Sequence, residues 1–261
     1  SVNPQQINVT LREGQSGATR SLYISNSGTD DLEWNLAIEG STQETEWTFT
    51  NCGQTGRYGP SQSQCDSTYG AGEVNVNDGI QEWTVPYTGT YIIEVWGAQG
   101  AGYSYNGGLG ANMQGYFNLE AEDVILIAVG QMGSNQGQHA AGGGGSFVVQ
   151  SEDTPLIIAG GGGGGGDDYY GLDGTLSQTS NNSGSNGNSS SENGSGGLSG
   201  GDWGGAGGGG FNSDGSNGND SGSGITGSGG KSWYNGLIGG SNSSGSYGSV
   251  AYGGFGGGGA S

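Results

Sequence analysis

The first forty residues alternate between apolar and polar positions in three short segments. Residues 7–11, 21–25 and 32–38 place apolar side chains at every second position, which is the period of a β-strand with one buried face. Two segments rich in Gly, Ser, Asn and Asp, 14–17 and 26–30, predict the turns between these strands. The predicted apolar face, a candidate self-assembly surface, consists of Ile7, Val9, Leu11, Leu22, Ile24, Leu36 and Ile38.

The segments Asn26-Ser27-Gly28 and Leu32-Glu33-Trp34 resemble the opening half of a BACON or hydin-type immunoglobulin-like domain. An immunoglobulin-like sandwich has about seven strands, whereas residues 1–40 supply three or four. A sheet of this size is marginal alone and leaves its edge strands open. We therefore expect a partial immunoglobulin-like β segment at 1–40, which later segments or a neighbouring molecule must complete.

A second predicted domain, 41–261, contains further strand-like segments. They are expected at 81–85, 91–96, 115–119, 124–129 and 146–149. No segment of the chain has convincing helical periodicity. The sequence therefore predicts an all-β protein.

Runs of glycine interrupt these strands. Seven consecutive glycines, Gly160–Gly166, follow the apolar segment Pro155–Ala159, and shorter runs occupy 142–145, 207–210 and 256–259. The chain has 65 glycines but four prolines and no strict period of three, which excludes collagen. The runs are either flexible linkers or packed chains in the polyproline II conformation, whose outward N–H and C=O groups pair with neighbours. Direct continuation from a strand favours packing.

Motifs spread over residues 47–261 resemble the glycine-rich extracellular region of anaplastic lymphoma kinase and leukocyte tyrosine kinase. They include Phe49-Thr50-Asn51-Cys52-Gly53, Gly79-Ile80-Gln81-Glu82-Trp83, Trp96-Gly97-Ala98-Gln99-Gly100, Gly115-Tyr116-Phe117-Asn118-Leu119 and Pro155-Leu156-Ile157-Ile158-Ala159-Gly160, in the same order. This resemblance implies a jelly-roll-like β-sandwich with an inserted bundle of polyglycine II helices. Because the chain carries no kinase, we do not expect receptor signalling to carry over.

The charge balance is strongly acidic, with 24 Asp and Glu against four Lys and Arg and a net charge of −20. Such a chain repels nucleic acids and anionic membranes, so neither is an expected partner. The longest apolar stretch, 124–129, is too short to insert into a membrane. The two cysteines, Cys52 and Cys65, predict a disulfide and hence a secreted or cell-surface protein. The absence of an apolar leader predicts a processed mature form.

Candidate chemistry is sparse. The single histidine, His139, has no nearby carboxylate cluster, so we expect a protein that is not an enzyme and has no organic cofactor. Calcium is the candidate ion, because Asp and Asn oxygens are hard ligands. The calcium candidates are Asp167, Asp168, Asp214 and Asp220. The alternative is that these carboxylates lie in solvated turns.

Aromatic residues punctuate the glycine-rich half of the chain. Trp203, Trp233 and Tyr234 form a candidate ligand rim, because aromatic rings stack on sugars while amides bind the hydroxyls. The alternative is that the rings wedge between glycine segments. The leading interpretation is an extracellular structural protein, a subunit of a self-assembling filament or matrix that shares strands between copies. The runner-up is an adhesin or receptor-like module that binds a glycan or surface protein.

Overall fold

The computed structural model describes residues 2–3, 23–24, 46–136, 139–151, 153–166, 170–176, 194–199, 205–218, 227–241 and 251–260. The chain divides into two compact units, Ser1–Trp47 and Thr48–Ser261. In the first unit, strands β1 (Val2–Asn3) and β2 (Tyr23–Ile24) pair antiparallel, with Val2 opposite Ile24.

Most of the apolar face predicted for residues 1–40 lies outside the described residues. Ile24 lies in β2, whereas Ile7, Val9, Leu11, Leu22, Leu36 and Ile38 fall outside the described ranges. The partial immunoglobulin-like segment and its role in self-assembly therefore stay predictions.

The second unit contains nine strands in its described part. They are β3 (Asn75–Asn77), β4 (Ile80–Thr84), β5 (Gly89–Trp96), β6 (Asn112–Leu119), β7 (Val124–Ala128), β8 (Asn135–Gln136), β9 (His139–Ala140), β10 (Ser146–Gln150) and β11 (Thr154–Ala159). Five of them form one antiparallel sheet in the spatial order β11-β10-β7-β4-β3. The prediction of an all-β protein is confirmed.

Strands β5 and β6 form a second, two-stranded antiparallel sheet. Tyr91, Ile93 and Val95 of β5 turn toward the hydrophobic core, whereas the alternate positions are exposed. The core between the sheets includes Val85, Val95, Leu119, Ile125, Ile127, Val148 and Ile157. The period-2 pattern of these strands thus produces a β-sandwich.

A second core covers the opposite face of the five-stranded sheet. It includes Phe147, Val149, Phe211, Trp233, Leu237 and Phe255, the last four from the glycine-rich half of the chain. Strand β10 is consequently buried on both faces, because Val148 belongs to the first core while its neighbours Phe147 and Val149 belong to the second.

A short helix, α1 (Gln62–Tyr69), departs from the expectation that the chain has no helix. Ser61 and Gln64 form a capping box at its N-terminus, with Gln64 Oε1 accepting the Ser61 N–H at 2.8 Å. Cys65, the buried residue of the helix, forms the predicted disulfide with Cys52 at a Cα–Cα distance of 5.0 Å. Capping and the disulfide hold a helix that lacks an apolar stripe. Within the described ranges, no helix has the length and apolarity needed to cross a bilayer.

The seven-glycine run continues directly from β11 and hydrogen-bonds to neighbouring segments through its backbone. The Gly162 N–H donates to the Ala98 carbonyl at 2.9 Å. Three residues later, the Gly165 N–H donates to the Ala101 carbonyl at 2.8 Å. The same three-residue spacing relates the donors Ala98 and Ala101, Gly97 and Gly100, Gly108 and Ala111, and Gly171 and Gly174. A flexible linker, the alternative left open by the sequence, would leave these groups to water.

The glycines are needed because neighbouring backbones touch where a side chain would begin. A Cβ on Gly161 would overlap the Gly143 carbonyl oxygen, and one on Gly164 would overlap the Ala140 carbonyl oxygen. Gly160, at the start of the run, faces open space instead. The run therefore contains both obligatory glycines and replaceable ones.

Candidate functional site

An open groove lies on the surface between the segment 54–64, the turn joining β3 to β4, and the segment 234–238. Its cavity volume is about 730 Å³. We call it the tyrosine groove, and its polar and aromatic lining includes Tyr58, Ser61, Gln64, Asp78, Tyr234 and Asn235. The groove has the dimensions of sites that bind small ligands, which are commonly about 300–1,000 Å³.

The floor of the groove is built by close backbone packing. Asp78 and Gly79 form a two-residue β3–β4 loop, and both have positive φ, 48° and 84°. Positive φ at both central residues is the conformation of a type I′ hairpin turn, for which Asp-Gly is a preferred pair. Gly79 lies against Gly59 so closely that a Cβ on either would overlap the other's backbone. The fully buried ring of Phe255 lies beneath both glycines.

One wall is the 3₁₀ turn Trp233–Asn235, which places consecutive residues on opposite sides. Trp233 is 6% exposed and stacks on Phe211 with 5.8 Å between ring centroids. Its Nε1–H donates to Asp153 Oδ1 at 3.0 Å. Tyr234 is 55% exposed and faces the groove. The buried tryptophan therefore anchors the turn that presents the exposed tyrosine.

Asp214 fixes the same wall through three hydrogen bonds. Its Oδ2 accepts Lys231 Nζ at 2.8 Å, and its Oδ1 accepts the Ser232 N–H and Asn235 Nδ2, each at 2.8 Å. Partial burial raises the pKa of this carboxyl, but these hydrogen bonds, with that from Lys231 the largest, lower it well below its ordinary value of 3.8. Asp214 thus stays ionised and orients Asn235 at the groove.

Arg57 is held next to the groove between two tyrosine rings. Its Cζ lies 5.2 Å from the ring centroid of Tyr58 and 5.6 Å from that of Tyr252, within cation–π range. Tyr58 also lines the tyrosine groove and is 56% exposed, and Tyr252 is 39% exposed. We call these three residues the Arg57 clamp.

The three residues of the predicted ligand rim do not share one surface. Tyr234 lines the groove, Trp233 is a core residue whose ring faces are covered, and Trp203 lies outside the described residues. Of the calcium candidates, Asp214 is engaged as described, whereas Asp167, Asp168 and Asp220 lie outside the described ranges. Within the described residues, no three His, Cys, Asp or Glu side chains cluster in a way that could hold a metal ion.

Sequence reasoning missed the Arg57 clamp and the tyrosine groove. Arg57 and Tyr58 are adjacent in sequence, which offered a weak signal, but Tyr252 is distant along the chain and arrives through the glycine packing. The Asp78-Gly79 pair was a detectable turn signal between two strand-like segments. The groove itself depends on tertiary contacts that no local pattern encodes.

A second exposed surface lies on the outward face of the β5–β6 sheet. Ile92 stands directly opposite Tyr116 in the register, and both are exposed, at 60% and 72%. Trp96 on the same face of β5 is also exposed. An exposed cluster of large apolar side chains on a sheet is a feature of interaction surfaces.

Comparison with known proteins finds similarity over part of the chain. The leukocyte tyrosine kinase receptor of mouse is 36% identical to this chain over 99 residues, which is 34% of the chain. The matched stretch spans 11% of the receptor, so most of that protein has no counterpart here. No protein-family profile matches the chain. The similarity supports the expected resemblance for about a third of the chain, and the disulfide agrees with a secreted or cell-surface location.

Proposed function

We propose that the chain is an extracellular recognition module without enzymatic activity, and that the tyrosine groove binds a glycan. The observation that carries this proposal is the pairing of two exposed tyrosines, Tyr58 and Tyr234, with polar groups in one groove. Tyrosine offers an apolar ring and a polar hydroxyl, which suits a ligand with both apolar faces and hydroxyl groups.

The polar lining supplies complementary hydrogen-bonding groups. Asn235 carries an amide, Ser61 a hydroxyl and Asp78 a carboxylate, so donors and acceptors are both present. The Gln64 amide is hydrogen-bonded to Ser61 and Gln54. Asn235 is already oriented by Asp214, and Asp78 sits in a tight turn, so little ordering is required when a ligand binds. The partial similarity to a receptor agrees with a recognition role.

We also propose that the glycine segments are polyglycine II helices that serve as a rigid frame for the groove. Backbone donors recur every third residue, which is the repeat of the polyproline II helix and not the two-residue repeat of a strand. Gly256 and Gly257, which follow the buried Phe255, lie in a turn with positive φ, and both donate backbone hydrogen bonds to the Leu237 carbonyl. A ligand site on such a frame is preorganised.

The experiment is a glycan array probed with the full chain and single variants. Tyr58→Ala and Tyr234→Ala each should weaken binding to the best glycan about tenfold, or roughly 1.4 kcal/mol. Tyr116→Ala is the matched control, because it removes an equally exposed tyrosine from a different surface. A wild-type chain that binds no glycan, or a control that loses binding equally, would contradict the groove assignment.

A second candidate function is the subunit of a filament or matrix. Among the described strands, β5 and β6 pair only with each other, so each leaves an edge open to a strand from another molecule. The exposed Ile92, Tyr116 and Trp96 lie on the same sheet. These features support strand sharing between copies, with residues 1–40 as the donated segment.

This candidate predicts that the full chain assembles as its concentration rises. Val9→Asp should abolish assembly because it charges the predicted apolar face, whereas Asn8→Asp adds the same charge to the opposite face and should not. Sedimentation velocity and electron microscopy measure the outcome. A wild-type chain that stays monomeric at every concentration, or a Val9→Asp variant that still polymerises, would exclude this function.

A further inference from the structure

We infer that the glycan bound in the tyrosine groove carries a carboxylate, and that Arg57 binds this carboxylate between the rings of Tyr58 and Tyr252. The inference rests on the proposed function of the groove and names the chemical class of its ligand. It follows from the charge, the geometry and the position of the Arg57 clamp.

Among the described residues, Arg57 has no carboxylate partner, although the protein is very acidic. The chain has four basic residues, and two of them, Arg57 and Lys231, lie among the described residues. Lys231 pairs with Asp214, and that is the one ion pair found within the described part of the chain. Within the described residues, Arg57 contacts the rings of two tyrosines and forms no ion pair.

The geometry leaves part of the guanidinium ready for an acceptor. The rings of Tyr58 and Tyr252 interact with the cation through their faces, and this contact uses none of its N–H donors. The Arg57 Nε is buried and has no hydrogen-bond partner among the described residues. An incoming anion would therefore meet the two terminal nitrogens, which match the two oxygens of a carboxylate.

The position of the clamp connects the cation to the groove. Tyr58 belongs to both, so a ligand that stacks in the groove has its end beside the guanidinium. A sugar acid combines the required groups, because its ring presents an apolar face and hydroxyls while its carboxylate pairs with arginine. Acidic peptides share the carboxylate but lack the polyhydroxylated ring that the Ser61 hydroxyl and the Asn235 amide suit.

The test is an array of paired glycans, each sugar acid beside its neutral parent or its methyl ester. We expect the wild-type chain to bind the acidic member at least tenfold more tightly than the neutral one. Arg57→Gln should abolish this preference, and Arg57→Lys should restore only part of it because the ammonium lacks the planar fork. Gln114→Glu, which makes the net charge more negative by the same amount on the outward face of β6, should leave the preference unchanged.

The outcomes separate this inference from the proposed function. Equal binding of acidic and neutral glycans, or an unchanged preference in Arg57→Gln, would overturn the inference while leaving glycan binding in place. A wild-type chain that binds no glycan on the array would overturn the proposed function and the inference with it. Binding of an acidic Glu-rich peptide in place of any glycan would overturn the assignment to sugar acids. Circular dichroism and the melting temperature establish that each variant is folded.

Discussion

At the scale of single residues, the ionised carboxylate of Asp214 holds a residue of the groove wall in place. Its oxygens accept hydrogen bonds from Lys231, the Ser232 backbone and Asn235, and Asn235 lines the groove. Because these bonds favour the ionised form, the pKa of Asp214 is lower in the folded chain than in the unfolded chain. The carboxylate therefore stabilises the fold at neutral pH.

The pH dependence of this contribution has a definite sign. A carboxyl with a lowered folded-state pKa stabilises the protein above its unfolded-state pKa, about 3.9, and the contribution is lost as the pH falls below it. Asp214→Asn should therefore lower the melting temperature at pH 6, and the gap to the wild type should narrow at pH 2.5. Melting curves at both pH values measure this difference. A gap of equal size at both pH values would contradict the role of the ionised Asp214.

At the scale of elements, the glycine run after β11 provides a direct test of packing. Gly161→Ala forces a Cβ into the Gly143 carbonyl oxygen, and such overpacking costs about 1–3 kcal/mol. Gly160→Ala is the matched control one residue earlier, where nothing lies within 4 Å of the added atom. That substitution should be neutral or stabilising by about 0.4–1 kcal/mol, because alanine restricts the unfolded chain. Urea unfolding of the three proteins gives the free energies.

In a flexible linker, Gly160→Ala and Gly161→Ala would change the free energy of unfolding by the same amount. Equal free energies of unfolding for Gly160→Ala and Gly161→Ala would therefore contradict the packed run. If Gly161→Ala fails to fold while Gly160→Ala folds normally, the yields of soluble protein support the packed run in the same way. Gly166→Ala, which also places its Cβ in open space, serves as a second control at the other end of the run.

The strands could be predicted from the sequence because their alternation is local. The segments expected at 81–85, 91–96, 115–119, 124–129 and 146–149 match β4, β5, β6, β7 and β10 to within three residues at either end. Helix α1 escaped prediction because Cys65 is its buried residue, so it has no apolar stripe to detect. Its stability comes from a capping box and from the disulfide to Cys52.

The candidate site was less predictable than the strands. Tyr234 was expected on a ligand rim because it is an aromatic residue in the glycine-rich half of the chain, and it does line the groove. The neighbouring Trp233 was grouped with it, because sequence does not reveal which of two adjacent aromatic residues faces the core. Tyr252 reaches Arg57 only through the packing of glycine segments, so the clamp required the three-dimensional structure.

At the scale of the whole molecule, the net charge of −20 determines which ligands can approach. It repels anions at long range, but salt at about 0.15 M screens exposed charges beyond roughly 8 Å. The Arg57 clamp then attracts a carboxylate only at contact distance, and the tyrosine groove must supply the rest of the affinity. This combination disfavours polyanions such as nucleic acids and favours a ligand with a single acidic group beside an apolar ring.

The central claim is that this molecule recognises a ligand through the tyrosine groove. The most direct measurement is NMR mapping of backbone amide shifts in the full chain while the best glycan from the array is added. We predict that the largest changes fall on the groove wall and floor, at Tyr58, Asp78, Tyr234 and Asn235. Changes concentrated instead on the outward face of the β5–β6 sheet would contradict it.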